Sequence, residues 1–229
     1  MEPISVVMLG ATGAVGGQAL NALLGAGSKV KKVTLLGRRK VENLPHTEVE
    51  TNQFEVDIFN PKSYESYLTG HGVAICTLGI GEPSKVSKEQ LVKVDKTAVL
   101  DFAGKCKKAG IRHFEILSSV DADSSAKLFY LKVKGELNDG LKELDFERLS
   151  IFHPSMILTP NNRYGFSQWL FLKLTPLVSP ILLGSMTKYR GVKVERLGSA
   201  IAQNIFIGKS GVEALHWSEF EEILKSSDQ

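Results

Sequence analysis

The stretch Val6-Val7-Met8-Leu9-Gly10-Ala11-Thr12-Gly13-Ala14-Val15-Gly16-Gly17 decides the fold of this 229-residue chain. Its apolar run predicts a buried strand that ends in glycines, and the apolar spacing that follows is typical of a helix. Gly10 can adopt a turn that a Cβ would forbid, Gly13 lets a phosphate approach the backbone, and Gly16 lets the helix pack closely on the strand. The stretch therefore predicts a dinucleotide-binding turn at a helix N-terminus, with a plain strand-to-helix connection as the alternative.

The cofactor contacts expected from this turn are those of its backbone. The free N–H groups and the positive dipole end of the helix favour a bound pyrophosphate. The residues expected to line it are Gly10, Ala11, Thr12, Gly13, Ala14, Val15 and Gly16.

Two arginines, Arg38 and Arg39, follow the second predicted strand, residues 32–37. In a dinucleotide-binding fold the end of this strand meets the adenosine ribose. An acidic residue there would bind the ribose 2′-hydroxyl and repel a 2′-phosphate, whereas guanidinium groups suit a phosphate. The pair favours NADP(H) over NAD(H), and a solvated basic turn is the alternative.

Further cofactor contacts are expected where the third and fourth predicted strands end, because ligands of such sheets lie outside the carboxyl ends of the strands. Asp57 follows strand 49–54 and either accepts from the adenine amino group or caps its own turn. Strand 72–79 ends in Thr77, Leu78 and Gly79, which are expected to line the cofactor. The periodicity also predicts helices over 61–68, 88–109, 128–144 and 197–207, and strands over 112–117 and 148–152.

A candidate catalytic set follows the fifth predicted strand. Ser118 and Ser119 come directly after it, and Tyr130 and Lys134 lie four residues apart in a helical pattern, so they share one helix face. A phenol is ordinarily a poor base at pH 7, but an adjacent ammonium group favours its ionised form. Tyr130 could then exchange a proton with a substrate oxygen held by the hydroxyl of Ser119 or Ser118. A tyrosine that only packs its helix against the core is the alternative.

Composition and charge limit the classes of partner and compartment. The net charge of +3 is small and spread out, so it does not indicate nucleic-acid binding. The two cysteines form no CxxC or Cys/His cluster, which predicts no bound metal and a reduced, cytoplasmic setting. The chain enters a core strand at once, which leaves no room for a signal or transit peptide. The apolar segment 169–183 is broken by Lys173 and two prolines, so no stable membrane span is expected.

Taken in order, these motifs resemble those of the atypical short-chain dehydrogenases/reductases with NmrA-like relatives, and within them the branch of the Tat-interacting oxidoreductase-like proteins. The resemblance covers roughly residues 4–200 and rests on residues 10–16, 36–40, 76–79, 117–119 and 130–136. It implies an α/β fold, a Rossmann-like doubly wound parallel sheet with helices on both faces and a small C-terminal substrate lobe. A single NAD(P)-binding domain over 1–229 is expected, with 155–192 forming most of the lobe.

The resemblance also implies roles for individual residues. NADP(H) is the expected cofactor, Tyr130 and Lys134 are the catalytic pair, and these two residues and Ser118 also contact the cofactor. His153 and Pro154 follow the sixth strand and pass near the nicotinamide. Relatives commonly have an arginine before that proline, so His153 either alters this end of the site or packs. Arg163 is the candidate for an arginine that closes over cofactor or substrate.

Asp95 is a second departure from the relatives. Many extended relatives carry an asparagine where this chain has Asp95. A carboxylate cannot donate a hydrogen bond as the amide does. The proton relay behind Lys134 would therefore differ or be absent.

The function expected from the sequence is NADPH-dependent reduction of a small carbonyl compound, with Tyr130 as the proton donor. The alternative is a non-catalytic NADPH-binding sensor or scaffold that acts through protein partners, since a fold alone does not fix a function. Epimerisation of a nucleotide sugar is disfavoured, because the predicted lobe is apolar. The sequence leaves open a homodimer or another protein partner.

Overall fold

Seven parallel strands form one sheet in the described part of this computed structural model, residues 2–159 and 182–227. They are β1 (Ile4–Leu9), β2 (Val30–Gly37), β3 (Glu50–Glu55), β4 (Val73–Cys76), β5 (His113–Leu117), β6 (Arg148–Phe152) and β9 (Gly211–Leu215). Their order in the sheet is β3-β2-β1-β4-β5-β6-β9. From β1 the chain adds β2 and β3 on one side, and it then adds β4, β5 and β6 on the other side of β1. The carboxyl ends of β1 and β4 therefore flank the crevice where such sheets bind ligands.

Helices cover both faces of the sheet. They are α1 (Ala14–Leu24), α2 (Lys88–Val92), α3 (Ala98–Lys108), α4 (Phe129–Glu143), α5 (Val194–Asn204) and α6 (Trp217–Ser227). Side chains of β1 alternate between two apolar cores, with Val6 and Met8 packed in the core that contains α1, α5 and α6. Val7 and Leu9 pack in the other core, with α3 and α4. Because both faces are buried at the centre of the sheet, β1 and β4 read as continuous apolar runs, whereas the edge strand β3 is polar. The predicted doubly wound Rossmann-like fold is confirmed.

Most of the predicted substrate lobe, 155–192, lies outside the described residues, as does Arg163. Of the described part, β7 (Ile157–Leu158) and β8 (Val192–Lys193) pair in parallel as a separate small sheet. A 3₁₀-helix over Gly184–Tyr189 precedes β8. Among the described helices, none has the length and apolar content to cross a bilayer.

Two predicted helices differ in the structure. The segment 61–68 forms two short 3₁₀ turns, Pro61–Ser63 and Glu65–Tyr67, in place of a helix. Tyr64 separates them at φ −133°, and its buried ring packs edge-on against Phe102 at 5.9 Å. The long helix predicted over 88–109 is present, but a π-helical turn at Lys93–Thr97 joins α2 to α3. Burial of a tyrosine and insertion of a π turn both depend on tertiary contacts, which periodicity does not report.

The turn between β1 and α1 has the close backbone contacts expected of its glycines. Gly10 adopts φ +100°, and a Cβ there would lie 2.7 Å from the hydroxyl of Thr77. A Cβ on Gly16 would clash with the carbonyl oxygen of Gly10 and with the same hydroxyl. Both positions therefore exclude a side chain for steric reasons.

A Gly16→Ala substitution is expected to destabilise the protein by about 1–3 kcal/mol, because the added methyl overpacks the turn. Gly17→Ala is the matched control: its Cβ would meet its nearest neighbour, the carbonyl of Ala11, at 3.5 Å. That substitution is expected to be neutral or to stabilise by up to about 1 kcal/mol through helix propensity. Urea unfolding of both variants measures the difference. Equal stabilities would contradict the described packing of α1.

A buried polar network lies between β5, β6, β9 and α5. Glu115 is fully buried, and its Oε1 accepts from Asn204 Nδ2 at 2.7 Å, whereas its Oε2 has no hydrogen-bond partner among the described residues. Asn204 also donates to Ser150 at 3.0 Å, and the Arg148 guanidinium donates to Asn204 and Glu213. Burial raises the pKa of Glu115 to about 8, although Asn204 and Arg148 oppose the shift. Glu115 is thus a carboxylic acid held neutral at pH 7.

Neutral Glu115 contributes its full stabilisation when the pH is below the pKa that this side chain has in the unfolded chain. The contribution falls as the pH rises towards about 8, which is the pKa of Glu115 in the folded protein. Glu115→Gln should therefore gain stability relative to wild type between pH 5.5 and 8, by at most about 1.4 kcal/mol per pH unit. The His113 Nε2 lies 3.4 Å from Glu115 Oε1, but burial lowers the pKa of His113 to about 3. Its ring is therefore neutral in both folded proteins between pH 5.5 and 8, and its effect cancels in this difference. Urea unfolding at several pH values, with the exposed Glu222→Gln as control, measures the change. A difference that does not vary with pH would show that Glu115 is ionised throughout.

Candidate functional site

Two adjoining cavities lie at the carboxyl edge of the sheet. The arginine cavity, about 350 Å³, is bounded by the glycine turn, the end of β2 and Arg38, Arg39 and Lys40. The tyrosine cavity, about 300 Å³, is bounded by the start of α1, the loop after β4, Ser118, Tyr130 and Lys134. Leu78 lines both cavities, so the two adjoin along the loop after β4.

The glycine turn connects the two cavities and suits an anion. Gly10, Ala11 and Thr12 line the arginine cavity, and Gly13, Ala14 and Val15 line the tyrosine cavity. Gly13 caps α1 without a side-chain hydrogen bond, and the first turn of α1 contains no acidic residue. Its first N–H groups therefore have no side-chain acceptor and remain available to a phosphate. A Cβ at Gly10 would clash with Thr77 and Leu78 of the loop after β4, so glycine there allows the tight turn. The uncapped N-terminus of α1 is the feature that fits the pyrophosphate of a dinucleotide.

Arg38 and Arg39 lie where the sequence predicts the adenosine ribose. Both line the arginine cavity with Lys40, and the described lining of this cavity contains no acidic side chain. Ile58 lines the same cavity, but its neighbour Asp57 is exposed and lies outside the lining. Asp57 Oδ1 accepts from the N–H of Phe59 at 2.9 Å. The structure thus shows the turn-capping contact for Asp57, and the adenine contact stays a prediction.

Tyr130 and Lys134 lie on one face of α4 and both line the tyrosine cavity. Lys134 is only 3% exposed, and its Nζ lies 3.0 Å from Asp95 Oδ1. Burial alone would lower the pKa of Lys134, but the opposing effects of Tyr130 and Asp95 raise it above its usual value. Lys134 is therefore an ammonium ion with a fixed partner.

Ser118, rather than Ser119, is the serine that lines the tyrosine cavity. The Ser118 hydroxyl donates to Asn138 Oδ1 at 2.9 Å, and both residues are buried. Ser119 lies outside the described lining, and its hydroxyl donates to the carbonyl of Val120 at 3.3 Å. The sequence did not distinguish the two serines, because the direction of a side chain after a strand depends on the following turn. Asn138 was missed, although its position four residues after Lys134 places it on the same helix face.

His153 packs behind the site. Its Nδ1 lies 2.8 Å from the carbonyl oxygen of Ser119, and its ring stacks on His216 with centroids 5.1 Å apart. Burial lowers the pKa of His153, which favours the neutral ring. Neither His153 nor Pro154 belongs to the described lining of the two cavities. The described contacts therefore support a packing role for His153. The contact of His153 and Pro154 with the nicotinamide stays a prediction.

Comparison with known proteins identifies the family. Residues 10–145 match the NAD(P)H-binding family. The chain is 38% identical to Protein HTATIP2 of Rattus norvegicus over 173 residues, which is 76% of this chain and 71% of the relative. It is 28% identical to Protein FMP52, mitochondrial, of Debaryomyces hansenii over 97% of this chain and 99% of the relative.

Solved structures share the fold at low sequence identity. The oxidoreductase ylbE from Lactococcus lactis superposes with a TM-score of 0.68 at 18% identity, covering 97% of each chain. MoeE5 in complex with UDP-glucose and NAD superposes with a TM-score of 0.69 at 13% identity, covering 98% of this chain and 82% of the other. These likenesses show a fold that other proteins use to bind NAD.

The comparisons also correct the cellular compartment. Several relatives carry the name FMP52, mitochondrial, including those of Debaryomyces hansenii and Meyerozyma guilliermondii. The cytoplasmic setting predicted from cysteine usage is contradicted by these names. Two unpaired cysteines indicate reducing conditions at most, and they do not distinguish one reducing compartment from another.

The glycine turn, the adjoining cavities and the matched sequences lead to one assignment. The protein binds NAD(P)H. The chain belongs to the NAD(P)H-binding family of atypical short-chain dehydrogenases/reductases, in the branch that includes Protein HTATIP2.

Proposed function

We propose that the protein is an NADPH-dependent oxidoreductase that reduces a small carbonyl compound, with Tyr130 as the proton donor. The observation that supports this most directly is the composition of the tyrosine cavity. A phenol, a buried ammonium group and a serine hydroxyl line one cavity with the N-terminal turn of α1. These are the groups required to protonate an oxygen and to stabilise the charge left on the donor.

Each side chain of the cavity has a distinct task in this proposal. When bound, the nicotinamide supplies a hydride to the carbonyl carbon. Tyr130 donates its phenolic proton to the carbonyl oxygen, and the Lys134 ammonium stabilises the phenolate that remains. Ser118 would turn the proton that it donates to Asn138 towards the carbonyl oxygen, and so hold that oxygen within reach of Tyr130. The loop residues Thr77–Gly79 and the N–H groups of α1 bind the cofactor.

The preference for NADPH rests on the arginine cavity. Arg38 and Arg39 present two guanidinium groups at the end of β2, and the described lining has no carboxylate to bind the ribose 2′-hydroxyl. A 2′-phosphate would accept charge-assisted hydrogen bonds from these groups. The arginine cavity therefore has guanidinium groups that suit NADPH. Its described lining lacks the carboxylate that would favour NADH.

The direct test is the oxidation of NADPH by the purified protein against a panel of aldehydes and ketones, followed at the absorbance of the reduced nicotinamide. The expected result is substrate-dependent oxidation that saturates with substrate. Calorimetric titration with NADPH alone is run beside it. Tight binding without turnover on any substrate would contradict the proposal and support the alternative of a cofactor-sensing protein.

A further inference from the structure

Asp95 makes two contacts from a buried position beside the tyrosine cavity. It is 1% exposed and lies in the π-helical turn between α2 and α3. Its Oδ1 lies 3.0 Å from Lys134 Nζ, and its Oδ2 accepts from the backbone N–H of Ile80 at 2.8 Å. One carboxylate thus contacts a side chain of α4 and the loop after β4.

We propose that Asp95 is a positioning residue that couples the cofactor-lining loop after β4 to Lys134 by binding both with one carboxylate. The proposal rests on the role of Lys134 in the proposed function. Asp95 lines the cavity beside Gly79, Ile80 and Gly81 but is assigned no contact with a reacting atom. Its effect on the reaction would therefore act through Lys134 and through the loop.

The loop passes close to the ion pair. A Cβ built on Gly79 would lie 3.1 Å from Asp95 Oδ1 and 3.6 Å from Lys134 Nζ. A side chain at this position would therefore press on the pair, and glycine lets the loop pass close to it. In this proposal the Ile80 hydrogen bond and the ion pair link the position of the loop to that of Lys134 through Asp95.

The carboxylate of Asp95 gives Lys134 a negative partner, which an amide at this position could not. A buried ammonium group is costly unless it is paired, and Asp95 provides the opposite charge. An asparagine could still accept the Ile80 hydrogen bond, but it would leave Lys134 without a counter-charge. The other titratable groups that affect Lys134 are Tyr130 on its own helix and Cys76 on β4.

Two substitutions separate the contacts. Asp95→Asn removes the charge and keeps an acceptor for Ile80, whereas Asp95→Ala removes both. The exposed Asp101→Asn on α3 is the control for loss of an acid on the same helical run. Two quantities are measured without cofactor: hydrogen exchange of the Ile80 amide, and the pKa of Lys134 by NMR titration. The Lys134 signal is assigned as the one that is absent in Lys134→Met. NADPH affinity is measured by calorimetry.

In Asp95→Asn the pKa of Lys134 should fall by about one unit or more, because its opposite charge is lost. Exchange of the Ile80 amide should stay within about threefold of wild type in this variant and rise about tenfold or more in Asp95→Ala. Asp95→Ala should also bind NADPH about tenfold more weakly. An unchanged Lys134 titration in Asp95→Asn, or equal Ile80 exchange in both variants, would overturn the proposal. These readouts need no turnover, so they remain informative if carbonyl reduction is not found.

Discussion

Tyr130→Phe is expected to lower carbonyl reduction by about 10²–10⁴-fold, while NADPH binds with nearly wild-type affinity. The substitution removes only the phenolic hydroxyl, which is the proposed proton donor in the tyrosine cavity. The ring remains, so the packing of α4 is preserved. Steady-state rates with the best substrate of the panel and calorimetric NADPH affinities measure the two quantities separately.

The control for this variant is Tyr67→Phe. Tyr67 stacks on Phe54 with ring centroids 3.8 Å apart and lies outside the described lining of both cavities. Loss of its hydroxyl should leave turnover and NADPH affinity unchanged. If Tyr130→Phe retained more than about a tenth of the wild-type rate, another group would be the proton donor and the assignment of Tyr130 would be wrong.

Arg38→Asp is expected to reverse the cofactor preference from NADPH to NADH. The substitution replaces a guanidinium group of the arginine cavity with a carboxylate that repels a 2′-phosphate and can accept from a ribose hydroxyl. Loss of one charge-assisted contact should weaken NADPH binding by roughly 10–150-fold, and the new repulsion adds to this. NADH affinity should stay the same or rise. Calorimetric titration with both cofactors gives the ratio.

Lys31→Asp is the charge-matched control, because Lys31 is exposed near the start of β2, away from the carboxyl edge. It changes the net charge by the same amount and should leave the preference for NADPH intact. Equal affinity of the wild type for NADPH and NADH would contradict the 2′-phosphate assignment. A parallel loss of NADPH affinity in Lys31→Asp would instead indicate a general effect of net charge.

The elements that the sequence predicted best are those whose burial leaves a continuous pattern. Strand β6, predicted over 148–152, has those bounds in the structure, because all five residues are buried and a charged turn precedes them. The glycine turn was also predictable, since steric exclusion at Gly10 and Gly16 is a property of the backbone and leaves a direct mark on the sequence.

The parts that the sequence could not predict depend on contacts between distant residues. Asn138 meets Ser118 across 20 positions, and no local pattern marks this bond or chooses Ser118 over Ser119. The contact of Asp95 with Lys134 depends on a π turn, which changes the face that the residue presents without changing the helical periodicity. The sequence therefore located the helix that contains Tyr130 and Lys134, and the three-dimensional structure located the partners of their side chains.

The most direct test of the proposed function is the transfer of deuterium to the carbonyl carbon of a product from NADPH that is deuterated at both positions of nicotinamide C4. The protein is incubated with labelled NADPH and a carbonyl substrate, and the product alcohol is analysed by mass spectrometry for wild type and Tyr130→Phe. The predicted result is one deuterium on the former carbonyl carbon with wild type and little product with Tyr130→Phe. Tight NADPH binding by wild type with no labelled alcohol from any carbonyl compound would contradict the proposed function.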